Sequence, residues 1–74
     1  MSPGHVQAGR WALTLTPDEA TGLILITGTE DGHVVSVRVL TPDVAHDAAE
    51  RLPEEARRTE TYGGTFRWAD LFGE

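Results

Sequence analysis

The spacing of apolar and polar positions changes several times along the chain, and each change marks an element. From Arg10 onward, Trp11, Leu13 and Leu15 alternate with Ala12, Thr14 and Thr16. Alternation with a period of two describes a strand with one face buried. Pro17 and Asp18 punctuate it. Residues 23–28 read as a second strand, with Leu23 and Leu25 facing one way and Ile24 and Ile26 the other. Apolar residues on both faces suggest a central place in a sheet. Thr29-Glu30-Asp31-Gly32 then reads as a turn, since Asp-Gly supplies residues that tolerate positive φ. A third strand follows from His33 to Leu40, with Val35, Val37 and Val39 on one face and Val34, Ser36, Arg38 and Leu40 on the other.

Residues 17–26 admit a second reading. Thr16-Pro17-Asp18-Glu19 has the form of a helix capping box, and Ala20, Leu23, Ile24 and Thr27 fall at helical spacing. Gly22 and the β-branched residues oppose a helix there. The next helix is clearer. Thr41-Pro42-Asp43 sets an N-cap, a proline at the first helical position and an acid where the helix dipole favours one. Val44, Ala48 and Leu52, with Ala45 and Ala49 beside them, form one apolar stripe opposite His46, Asp47, Glu50 and Arg51. Pro53 should end this helix, kink it or start a second one. Tyr62-Gly63-Gly64 closes the helical region. Beyond it, Phe66 and Trp68 could alternate as a further strand, or Trp68, Leu71 and Phe72 could share one face of a helical turn.

The pattern predicts an α+β fold, with a small antiparallel sheet of three strands and room for a fourth near 65–69. One helix, over 42–52 or longer, packs on a face of this βββα arrangement. Residues 1–9 read as a flexible N-terminal arm, 10–62 as the core domain and 63–74 as an aromatic C-terminal segment, docked or partner-binding. The expected core comprises Trp11, Leu13 and Leu15, with Leu25, then Val35, Val37 and Val39, and finally Val44, Ala48 and Leu52. The parity with which the second strand meets the helix stays open.

Composition narrows the function classes. A chain of 74 residues makes one domain, and a domain of that size buries only about 60% of its unfolded surface. With no cysteine, disulfides and thiolate metal sites are excluded. A small core without staples gains stability from a partner or from self-association, so a homodimer is one expectation. The net charge is −6. All the basic side chains are arginines, scattered from Arg10 to Arg67. Without a basic stripe, direct nucleic-acid binding and attachment to an anionic membrane are disfavoured. No apolar run approaches the roughly 20 residues of a membrane span, and the N-terminus lacks the pattern of a secretion signal. A cytoplasmic protein is expected. The absence of lysine and asparagine reads as the coding bias of a GC-rich bacterial or phage genome.

The residues offer little for catalysis. The serines are Ser2, in the arm, and Ser36, within a strand, and neither sits on a nucleophile elbow. No glycine-rich phosphate loop is present. Asp31 with His33 and His46 with Asp47 are the nearest approach to metal ligation, but no spacing matches a zinc pattern. The adjacent carboxylates Asp18-Glu19, Glu30-Asp31 and Glu54-Glu55 fit turns and a helix start. A domain this small has little interior from which to shape a pocket of about 300 Å3. No catalytic, cofactor-binding or metal-binding residue is assigned, and no cofactor is expected.

The C-terminal aromatics stand out. Four of the five aromatic residues, Tyr62, Phe66, Trp68 and Phe72, lie in the last thirteen positions. Large aromatics in a terminal segment either dock on the domain's own core or anchor a partner. Within Trp68-Ala69-Asp70-Leu71-Phe72-Gly73, the Asp-Leu-Phe run resembles the short peptides by which bacterial DNA polymerases and repair proteins engage the sliding clamp. Those peptides carry Ser or Asp, then Leu-Phe, often followed by Gly; Trp68 stands where they have glutamine. The resemblance covers six residues and implies a clamp-binding accessory protein. The candidate partner-binding residues are therefore Tyr62, Phe66, Trp68, Asp70, Leu71 and Phe72. The leading expectation is a non-enzymatic binding or regulatory module acting through protein contacts, its partner unidentified. An acidic mimic of nucleic acid, of the phage anti-defence type, is the alternative.

Overall fold

The computed structural model describes residues 4–73. Four strands, β1 (Gly4–Ala8), β2 (Trp11–Pro17), β3 (Ile24–Glu30) and β4 (His33–Leu40), form an antiparallel meander in the order β1-β2-β3-β4. A long helix, α1 (Pro42–Tyr62), follows, then a single turn, α2 (Trp68–Leu71). The fold is α+β, a four-stranded antiparallel sheet with one helix on a face.

The fourth strand is β1, at the N-terminal end. Residues 1–3 of the expected arm lie outside the described residues, whereas Gly4–Ala8 pair with β2 over their full length, from Gly4 opposite Leu15 to Ala8 opposite Trp11. A two-residue turn at Gly9-Arg10 joins them, and Val6 and Ala8 pack against the core. No strand forms at 65–69. The β3–β4 hairpin closes on Asp31 and Gly32, both at positive φ, 54° and 83°. Two left-handed residues make the tight turn whose twist matches the strands. The register shifts between Gly28 and Thr29. Gly28 faces Ser36 and Thr29 faces Val34, which leaves Val35 as the extra residue of a bulge.

Residues 17–26 resolve in favour of the strand, from Ile24 onward. The Asp18 carboxylate accepts a hydrogen bond from the Ala20 amide at 3.0 Å, and the Asp18 amide donates to the Leu23 carbonyl at 2.8 Å. The aspartate's local bond closes a loop where a capping box would have started a helix. Pro53 neither ends nor restarts α1. The helix runs 21 residues through it, because Ala45, Ala48, Leu52 and Ala56 are buried on both sides of the proline and tertiary burial holds the helix together.

α1 lies chiefly over β1 and β2 and reaches β3. The core beneath it is Trp11, Leu13, Leu15, Ile24 and Ile26, capped by Leu71 and Phe72. The expected core is corrected in three places. Leu25 points away from the helix and is 37% exposed, since Ile24 and Ile26 occupy the inner parity. Val35, Val37 and Val39 are exposed because β4 pairs with β3 in a register that aligns Val39 with Leu25 and Val37 with Thr27. Val44 is also exposed, the stripe having rotated onto Ala45.

Candidate interaction surface

The C-terminal aromatics fold back onto the sheet. Phe66 stacks on Trp11 with ring centroids 4.6 Å apart and planes at 17°. Trp68 meets Phe66 edge-on at 4.9 Å and lies 6.4 Å from Phe72. The Trp68 indole covers β3 at Gly28, where a Cβ would sit 2.8 Å from the ring. Glycine is what lets the ring approach the backbone there. The Trp11 indole N–H donates to Glu30 Oε1 at 3.0 Å, so the polar edge of a buried indole is satisfied.

The six candidate partner-binding residues therefore divide. Leu71 and Phe72 are buried, and Phe66 and Trp68 are half-buried against the core. Asp70 is exposed, and Tyr62, at the end of α1, is 83% exposed. In the clamp-like Asp70-Leu71-Phe72 run, the two apolar side chains that would serve as anchors are inside this fold.

The apolar surface left open lies on the other side of the sheet. Alternation across the four paired strands sets its membership. β1 contributes His5 and Gln7, paired with the half-buried Thr14 and the buried Ala12 of β2. Thr16 continues the β2 row. β3 adds Leu25, Thr27 and Thr29. β4 adds Val39 and Val37, with Val34 opposite Thr29 and Val35 in the bulge. Val37 and Val39 are 55% and 59% exposed, and Val34 and Val35 are similarly open. None of these residues is Asp, Glu or Arg, although a quarter of the chain is charged. The helix side of β4 carries the polar residues instead: Ser36 pairs with Gly28 and Arg38 with Ile26. A hollow of ≈550 Å3 borders the open face, between Leu25, Val39 and the loop from Thr16 to Ala20.

Charge concentrates on the outer side of α1. Asp47 pairs with Arg51 at 3.1 Å, and Arg58 lies 3.9 Å from Glu54 and 3.6 Å from Glu55. Apart from the half-buried Glu55 these side chains are exposed, and such pairs are worth little to stability. His5 reaches the Thr14 hydroxyl at 3.3 Å. It also lines a hollow with His46 near the end of the sheet, with no carboxylate among the lining residues. Among the described residues, no three His, Cys, Asp or Glu side chains gather as a metal site. Ser2 lies outside the described residues, and Ser36 sits in β4 with no histidine across the ladder. Among the described residues, no helix is long and apolar enough to cross a membrane.

Sequence reasoning placed the valines inside and so missed this face. The signal was present in Arg38 and Ser36. With the turn fixed at Asp31-Gly32, the parity that buries Ile26 carries Arg38, so the valines fall on the threonine side. The chain matches no protein-family model, and neither a curated protein nor a solved structure matches it.

Proposed function

We propose that this chain is a non-enzymatic binding module that acts through protein contacts, and that the open face of its sheet is the contact surface. The observation that carries the reading is the uncharged, valine-lined face of β3 and β4. Contiguous apolar surface of this kind marks interaction sites on small soluble domains. The aromatic tail serves the module from within, holding β3 and α1 together. The acids of α1 support protein contact over mimicry of nucleic acid. Mimicry needs an uninterrupted carboxylate array, whereas Asp47, Glu54 and Glu55 are paired with Arg51 and Arg58 on the same helix.

A photo-reactive amino acid placed at Val37, and separately at the exposed Arg57 on α1, tests the reading in living cells. Protein adducts from position 37 and none from position 57 are expected. Adducts from position 57 alone, or from neither, would contradict it.

A further inference from the structure

We infer that the occupant of the open face is a second copy of this chain, stacked face to face so that the valine-lined halves of two sheets pack on each other. The inference rests on the reading of that face as a contact surface and names its partner.

Charge selects the partner. A basic or acidic protein would be matched by opposite charge on the surface that receives it, and this face has no Asp, Glu or Arg. Its complement is another neutral surface of Val, Leu and Thr. Among the described residues, the surface that meets this description is the face itself, so a two-fold, self-complementary contact satisfies it. Asp18 and Glu19 line the hollow beside Leu25 and Val39 and would sit at the rim of the pairing, outside the valine rows. Stacking sheet on sheet sends the two α1 helices to opposite outer sides. The sheets alone hold them about 10 Å apart, beyond a Debye length of about 8 Å.

Area is adequate for a modest dimer. β2 and β3 are seven residues long. Four such strands give a footprint on the order of 400 Å2, and the corrugated surface over it exposes more. Two copies then approach the roughly 1,000 Å2 in total that marks a specific interface. Micromolar association is the scale to expect.

The geometry of β4 favours the face over the edge. β4 is an outer strand, but the bulge at Val35 interrupts its ladder midway. β4 also carries the charged Arg38. Bulges and charged residues on edge strands discourage edge-to-edge pairing. Edge pairing would leave the valines in water, whereas stacking removes them from it.

Sedimentation equilibrium of the intact chain tests the proposal. At about 100 µM, well above a micromolar dissociation constant, the wild type should sediment at twice its 8.0 kDa mass. Val37→Lys and, independently, Thr14→Lys should weaken the dimer at least tenfold while circular dichroism stays native. Arg57→Glu should change nothing. A wild type that remains at 8.0 kDa overturns the proposal. So does a dimer that survives both folded lysine variants but is lost on Ser36→Pro, which would place the contact at the β4 edge. If the purified chain is monomeric yet position 37 cross-links to a different protein in cells, the second copy is refuted and the contact surface stands. Absence of any adduct from position 37 refutes both.

Discussion

Gly28 and Trp68 show how one missing side chain positions a segment forty residues away. The indole occupies the space over β3 that a methyl group would fill, 2.8 Å from the ring. Phe66 meets it edge-on and Phe72 lies 6.4 Å from it. Gly28→Ala should therefore displace the ring and cost about 1–3 kcal/mol, the usual penalty for overpacking. Urea denaturation followed by tryptophan fluorescence would read this. Adding Trp68→Leu should recover part of the loss, because the two changes share one cavity and are not additive. Unchanged stability in Gly28→Ala would mean that the tail does not dock over β3. At the same scale, the bond from the Trp11 indole to Glu30 joins the start of β2 to the end of β3, and Phe66 of the tail stacks on that indole.

At the scale of elements, α1 is the clearest case of tertiary packing overriding local preference. A proline within a helix costs about 3 kcal/mol relative to alanine. Pro53 is exposed, with Leu52 fully buried beside it. Pro53→Ala should raise stability by about 1–3 kcal/mol, less whatever the more flexible unfolded chain takes back. A rise in thermal midpoint without change in the fold is the expected result, and a fall would show that the proline sets the helix's path. The proline's effect on α1 could not be read locally, because it depends on what lies under the helix. Other elements were legible for local reasons. The β2 alternation, the turn and the helix start each depend on neighbours in sequence: β2 forms as expected, the expected 29–32 turn tightens to Asp31-Gly32 because β3 runs on through Glu30, and α1 starts at Pro42 with Thr41 in the N-cap position but without a side-chain capping bond. β1 was not legible. It is five residues long, only Val6 and Ala8 turn inward, and its strand conformation depends on pairing with β2. The β4 alternation puts Val37 and Val39 on one face, as the structure has them, but the bulge at Val35 carries Val34 over to that face, and the helix lies on the other side. Alternation reports that residues share a face but not what covers it. Likewise, the terminal aromatics were recognised as either docked or presented, and packing against Trp11 and Gly28 decides where they sit.

For the whole molecule, the two sides of the sheet differ in kind. One carries α1 and the aromatic tail over the core. The other carries valine, leucine and threonine, with His5 and Gln7 on its β1 edge and no Asp, Glu or Arg. A sheet buries its apolar face against another layer in nearly every stable architecture, and a second sheet of the same sequence would supply that layer here. Such a dimer would also compensate for the small core of a 74-residue chain. The most direct measurement is an isotope-filtered NOE experiment on an equal mixture of labelled and unlabelled chain at about 1 mM, far above a micromolar dissociation constant. Cross-peaks between the methyl groups of Val37, Val39 and Leu25 in different copies are the predicted result; their absence, or intermolecular contacts confined to α1, would contradict the account.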